Sequence, residues 1–145
     1  MKIETTAHLQ QLIAEEIQSA DGDEVVANIY EVVDKIRLLK RPRQVIPIIF
    51  RWAEENHPYL IDHEPFRLFI EEQDDYVQAL EESISRKPTG LTTGMAYRRA
   101  NGETDRSKVN YWIAVLQKVL LHPQADDVCR EDAGDFIAIQ IKRHV

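Results

Sequence analysis

The chain has 145 residues, of which 43% are hydrophobic and 30% are charged, a balance typical of globular proteins and too apolar for wholesale disorder. Its net charge of −7 disfavours nucleic-acid binding, which depends on neutralising phosphates with Lys and Arg. The single cysteine, Cys129, excludes an internal disulfide framework and a cysteine-based zinc cluster. No apolar run approaches the roughly 20 residues of a membrane span. We therefore expect one cytoplasmic domain over residues 1–145, with no membrane association.

Apolar residues recur at helical spacing from the first residues onward. The first stripe covers residues 9–17, and Asp23 is placed to cap a second helix whose apolar face runs over residues 26–36. Pro42 suits the first turn of a third helix over residues 45–53, in which Pro47 predicts a kink or a late start. Pro65 similarly suits the start of a fourth helix with Phe66 among its inward-facing residues.

The second half of the chain continues the pattern. A fifth stripe covers residues 76–84, and Thr92 or Thr93 is placed to cap a short sixth helix that Asn101 and Gly102 end. A seventh helix follows Asp105, and the last covers residues 128–140. The sequence thus predicts an all-α fold of seven to eight helices in stacked antiparallel hairpins, a HEAT-like irregular bundle.

Charge is distributed in blocks. Residues 36–53 hold five bases and no acid, whereas residues 54–82 hold ten acids and one base, a net charge of −9. The acidic block includes Glu71, Glu72, Asp74 and Asp75 at a predicted turn between helices. Such a block is either a solvated helix end or a surface that steers a cationic partner. The basic block resembles a small phosphate-binding patch whose charges are too few for specific nucleic-acid recognition, and they also suit pairing with the neighbouring acidic helices.

No catalytic constellation emerges from the sequence. Cys129 lies on an apolar helical stripe, and Trp52 and Trp112 fall among aliphatic residues, so we expect all three to pack in the core. The histidines in the segment EENHPYLIDHE are six residues apart with a proline between them, which does not match the i, i+4 spacing of helical zinc ligands. We therefore expect neither an enzyme nor a bound metal or cofactor.

Residues 44–102 resemble a group of small helical bacterial immunity proteins, the antitoxins encoded beside polymorphic toxins, including those of contact-dependent growth inhibition. The resemblance lies in the segments RQVIPIIFRWAEENHP, PFRLFIEE, YVQALEESISRKPT and TTGM, followed by an Arg and an Asn. The matching positions are Pro47, Phe50, Glu55, Asn56, Pro65, Phe69, Ile70, Glu71, Tyr76, Leu80, Ser83, Lys87, Pro88, Thr89, Thr92, Met95, Arg98 and Asn101. The chain departs from the pattern at the loop 61–64, at Gly94, where a Trp is expected, and at Tyr97, where an Asn is expected.

The resemblance implies a protein that binds one cognate toxin domain, in many cases a basic nuclease, and blocks it without catalysis. The resemblance and the charge blocks together indicate the first candidates for contact with the toxin, which are Glu71, Glu72, Asp74 and Asp75. Asp62 and Glu64 are the second, and Tyr59, Phe66 and Tyr97 are candidate anchors that lose water in the complex. A deep cleft with converging ionisable groups, or those carboxylates locked in intramolecular ion pairs, would overturn this hypothesis.

Two alternatives stay open. A helical adaptor without a toxin partner predicts an exposed groove lined with apolar side chains. A metal-dependent enzyme requires at least three ligands converging from Glu54, His57, Asp62, His63 and Glu64. The sequence specifies neither the toxin nor the stoichiometry or oligomeric state.

Overall fold

A computed structural model describes residues 2–17, 23–56, 64–73 and 75–143. Within these ranges the chain forms eight α-helices, a short 3-10 helix and no strand, which confirms the all-α prediction and the number of helices. The helices are α1 (Thr6–Ile17), α2 (Asp23–Arg37), α3 (Ile46–Asn56), α4 (Glu64–Glu71), α5 (Val77–Arg86), α6 (Gly90–Gly102), α7 (Arg106–Leu121) and α8 (Asp127–Arg143). In the same ranges no helix has both the length and the apolar character that a membrane span needs.

The chain divides into two compact units, which we call unit 1 (Met1–Ala79) and unit 2 (Leu80–Val145). In unit 1, α1 packs against α2 and α3, and α2 packs against α4. In unit 2, α6, α7 and α8 pack against one another. The single domain over residues 1–145 and the HEAT-like stacking concern the chain as a whole, and both stay predictions.

Each unit contains one of the two tryptophans in its core. Trp52 is 1% exposed in unit 1, where its ring contacts Phe66 with 5.4 Å between ring centroids. Trp112 is 3% exposed in unit 2, as is Cys129. Burial raises the pKa of the Cys129 thiol to about 12, which keeps it protonated and unreactive at neutral pH. The prediction that these three residues pack in the core is confirmed.

Proline places the start of α3. Pro42 opens a 3-10 helix, Pro42–Val45, and the α-helix begins at Ile46, one residue before Pro47. Pro47 therefore lies in the first turn, where its missing N–H leaves no intrahelical hydrogen bond unmade. The late start expected from Pro47 is confirmed.

The start of α6 differs from the prediction. The N-cap is Thr89, not Thr92 or Thr93, so α6 begins three residues earlier than expected. The Thr89 hydroxyl accepts from the Thr92 N–H at 3.1 Å, and the Thr92 hydroxyl accepts from the Thr89 N–H at 3.0 Å. This reciprocal pair is a capping box in which Thr takes the place of the usual Glu or Gln. The prediction that a helix follows Asp105 is confirmed: α7 begins at Arg106, and Asp105 is its N-cap, whose carboxylate accepts from the Ser107 N–H at 2.9 Å.

Replacement of the α6 cap is expected to lower stability measurably. Thr89→Ala removes the hydroxyl that satisfies the Thr92 N–H and should lower the free energy of unfolding by about 1–2 kcal/mol. Thr89→Ser keeps the cap and serves as the matched control. Urea unfolding followed by circular dichroism measures the difference as a shift in midpoint. Equal midpoints for the alanine and serine variants would show that the box contributes nothing.

Candidate functional site

The C-terminal end of α4 holds the first of the predicted contact carboxylates. Glu71 lies one turn after Arg67 on α4, and its Oε1 is 2.7 Å from Arg67 Nη1. The same guanidinium lies 3.5 Å from Glu64, one turn in the other direction. The side chains of Arg67 and Glu71 are only 18% and 20% exposed. Glu71 is therefore largely covered and held in place within its own helix.

Glu72 is held from another helix. Arg37, the last residue of α2, donates from Nη2 to Glu72 Oε1 at 2.6 Å and from Nε to Glu72 Oε2 at 3.1 Å. Its Nη1 also donates to Asp34 at 2.8 Å. Hydrogen bonding to Glu72 is the main cause that raises the pKa of the Arg37 guanidinium above its usual value. This two-point contact fixes the end of α4 against α2 within unit 1.

The ion pairs leave an excess of negative charge. Arg67 lies between Glu64 and Glu71, and Arg37 lies between Asp34 and Glu72, so each arginine meets two carboxylates and each group of three carries a net charge of −1. The outer carboxylates remain accessible, with side-chain exposures of 50% for Glu64, 50% for Glu72 and 60% for Asp34. Asp75 is exposed next to them in sequence. We call Asp34, Glu64, Glu71, Glu72 and Asp75, with their two arginines, the acidic cluster.

The ion pairs and exposures of the acidic cluster distinguish the predicted contact residues that are accessible to a partner from those that are not. Intramolecular ion pairs at Glu71 and Glu72 count against both, and most strongly against Glu71, which is also largely covered. Asp75 and the exposed parts of Glu64 and Glu72 are the better placed members. The predicted residues Tyr59, Asp62 and Asp74 lie outside the described residues.

Two of the predicted aromatic anchors, Phe66 and Tyr97, differ in burial and lie in different units. Phe66 is fully buried beside Trp52, so the expectation that it anchors a partner is wrong. Tyr97 belongs to α6 in unit 2, where its half-buried ring stacks on Phe136 of α8 with centroids 4.1 Å apart and planes 16° apart. Its role as an anchor stays a prediction.

The alternative metal site gains no support. Of its five possible ligands, Glu54 and Glu64 are described, whereas His57, Asp62 and His63 lie outside the described residues. Within residues 2–17, 23–56, 64–73 and 75–143, no three His, Cys, Asp or Glu side chains are grouped so that they could hold a metal ion.

Most residues that carry the resemblance to immunity proteins have structural roles. Pro65, Phe69, Ile70, Leu80, Ser83 and Met95 are buried, and Thr89 and Thr92 form the capping box. Asn101 at the end of α6 accepts hydrogen bonds from two residues of α8, Gln140 at 2.7 Å and Arg143 at 2.9 Å. The shared pattern therefore describes how α3 to α6 are built more than which surface meets a partner.

The sequence predicts the contacts of the two arginines of the acidic cluster to different extents. Arg37 belongs to the basic block whose charges suit pairing with the neighbouring acidic helices, and its bonds to Glu72 agree with that alternative, although nothing local specifies a carboxylate 35 residues away. Arg67 was missed, although Glu64 and Glu71 stand three residues before it and four residues after it, a spacing at which helical side chains meet.

Comparisons with protein-family models, with curated proteins and with solved structures find no match to this chain. The resemblance over residues 44–102 therefore stays a prediction.

Proposed function

We propose that this chain is a cytoplasmic immunity protein that binds and neutralises a cognate toxin domain, a basic nuclease, in a 1:1 complex. The mechanism is steric and electrostatic occlusion: acidic groups of the inhibitor meet Lys and Arg of the toxin and occupy the surface that would otherwise hold the phosphates of its substrate. The inhibitor itself performs no catalysis.

The observation that carries this proposal is the net negative charge of the acidic cluster. Arg37 meets two carboxylates, Asp34 and Glu72, an arrangement that neutralises the guanidinium and holds the second negative charge in a fixed position. A carboxylate that is already oriented loses less side-chain freedom when a second cation approaches, which favours binding by preorganisation. Exposed Asp75 adds a further charge beside Glu72 in the sequence.

Charge alone does not give tight inhibition. An exposed ion pair contributes only about 0–1 kcal/mol, so the acidic cluster mainly raises the association rate and orients the partner. Tight binding requires a few anchors that lose water completely, and Tyr59 and Tyr97 remain the candidates.

Co-expression tests the proposal. A gene for a large secreted protein with a basic C-terminal domain is expected directly upstream of the gene for this chain. Expression of that C-terminal domain alone should arrest growth, and expression with this chain should restore it. A domain that stays toxic in the presence of the folded chain, or an upstream gene without such a domain, would contradict the proposal.

A helical adaptor remains the second candidate, for which the exposed apolar side chains of unit 2 are the relevant observation. Unit 2 exposes large apolar side chains on α7 and α8, among them Leu121 at 80%, Val128 at 52% and Ile139 at 43%. Val128 and Ile139 are eleven residues apart, which places them on one face of α8. Exposed Glu131 and Asp135 lie between them on that face, so the apolar side chains are separated and do not form the continuous apolar patch that is typical of surfaces that meet other proteins.

A further inference from the structure

A groove of about 840 Å³ lies in unit 1 at the end of α2, and none of the residues that line it belongs to the acidic cluster, although Asp34 and Arg37 of that cluster are their neighbours in the sequence. It is formed by the residues before α1, by the C-terminal end of α2 with the segment that follows, and by the 3-10 helix. It therefore contains part of the basic block of residues 36–53, which resembles a small phosphate-binding patch.

The lining of the groove holds four basic residues and one acidic residue although the chain carries a net charge of −7, and its cationic character lies at Lys2, Lys40 and Arg41, since Glu15, Glu16 and Glu31 act on Lys35. Lys2, Lys35, Lys40 and Arg41 line it, and Glu4 is the one acidic residue in the lining. Lys35 is engaged by Glu16 of α1, and hydrogen bonding to that carboxylate is the main cause that raises its pKa. Lys2, Lys40 and Arg41 are exposed. At an ionic strength of 0.15 M, charges are screened over about 8 Å, so a ligand in the groove responds mainly to these local cations.

The rest of the lining is aliphatic. Leu38 is 86% exposed, which is the highest exposure among the large hydrophobic side chains of the described residues. Leu39 is half-buried, and Ile3 and Val45 are buried beneath the groove. None of the lining residues, all of which are described, is aromatic, so the groove offers no ring on which a nucleic-acid base could stack.

We propose that this groove binds an acidic, aliphatic peptide segment of a partner protein. Carboxylates of the segment meet Lys2, Lys40 and Arg41, and an aliphatic side chain of the segment covers Leu38. An extended peptide fits better than a compact small molecule, since small-molecule sites bury most of the ligand surface whereas here the cations and Leu38 are exposed. The proposal is independent of the immunity function, because it concerns a basic surface and an anionic ligand.

A labelled peptide of alternating Glu and Leu tests the proposal by fluorescence anisotropy at an ionic strength of about 0.15 M, at which the charge of the rest of the chain is screened. Combined Lys40→Glu and Arg41→Glu should lower its affinity at least about tenfold, since two attractive charges become repulsive. Leu38→Ser should lower the affinity about threefold or more through lost apolar contact. All three side chains are exposed, and circular dichroism verifies that the variants are folded.

The matched control is combined Lys118→Glu and Lys142→Glu, which makes the same change in net charge at exposed residues of unit 2 and should leave the affinity unchanged. Peptides with Lys in place of Glu, or Ser in place of Leu, should bind at least several-fold more weakly. Equal binding by the groove variants and the control variant would overturn the proposal, as would equal binding of the Lys peptide. Binding to phosphatidylglycerol vesicles without binding to the peptide would overturn it in favour of a membrane surface.

Discussion

Combined Glu72→Lys and Asp75→Lys is expected to abolish protection against the cognate toxin. The two substitutions change the charge of the acidic cluster by +4 and place a lysine beside Arg37, so the surface that we propose attracts a cationic partner would repel it. Electrostatic steering changes association rates by about 10- to 1000-fold at low ionic strength, and we expect a loss in this range. Surface plasmon resonance with the immobilised toxin domain measures the rate, and survival on co-expression measures protection.

The amide variants separate charge from structure. Combined Glu72→Gln and Asp75→Asn removes two charges with little change in shape and should lower the association rate less than the lysine variant does. It should also make that rate less dependent on salt. The order wild type, amide, lysine in falling association rate is the expected result.

The matched control lies in unit 2. Combined Glu131→Lys and Asp135→Lys changes the net charge equally at exposed carboxylates of α8 and should keep protection. Protection by the folded Glu72 and Asp75 lysine variant at the level of the wild type would remove the acidic cluster from the interface. Equal loss in both lysine variants would show that net charge acts without a defined surface.

Trp52→Ala is expected to cause the largest loss of stability in unit 1. Its side chain is 1% exposed, contacts the Phe66 ring, and donates from Nε1 to Gln10 Oε1 on α1 at 2.7 Å. Truncation of a buried aromatic residue to alanine costs about 3–5 kcal/mol, since apolar contact is lost and a cavity remains. Because domains of this size are stable by about 5–15 kcal/mol in total, the substitution should remove a large fraction of the stability.

Trp52→Phe is the control for this substitution. It keeps a ring against Phe66 and loses the hydrogen bond to Gln10, an exposed residue that water can satisfy, together with a smaller part of the buried volume than alanine removes. Urea unfolding followed by far-ultraviolet circular dichroism should show a large shift in midpoint for alanine and a smaller one for phenylalanine. A midpoint for Trp52→Ala within error of the wild type would mean that the contacts at Trp52 do not stabilise the fold.

The helices were predictable because apolar periodicity reflects burial directly. The stripes at residues 9–17, 45–53 and 109–120 fall within α1, the Pro42–Asn56 segment and α7. Pro47 and Asp105 were also predictable, since the chemistry of a missing donor and of an N-cap acts within one turn. The start of α6 was mistaken because Thr89, Thr92 and Thr93 are all suitable caps, and the choice depends on which pair of hydroxyls and amides can bond reciprocally.

The acidic cluster was predictable in composition and not in geometry. The sequence shows ten acids over residues 54–82, but the bond between Arg37 and Glu72 arises only when α2 packs against α4. The groove, too, was predictable in composition and not in geometry. Residues 38–41 are adjacent in sequence, whereas their approach to Lys2 and Lys35 depends on how α1, α2 and the 3-10 helix are arranged.

Titration of the toxin's nuclease activity with this chain tests the central claim most directly. The purified C-terminal domain encoded upstream is held at a fixed concentration, and its cleavage of nucleic acid is measured as the chain is added. We expect activity to fall linearly to zero at one equivalent, with the Glu72 and Asp75 lysine variant failing to inhibit and the α8 control inhibiting fully. Full activity in the presence of excess folded chain would contradict the account.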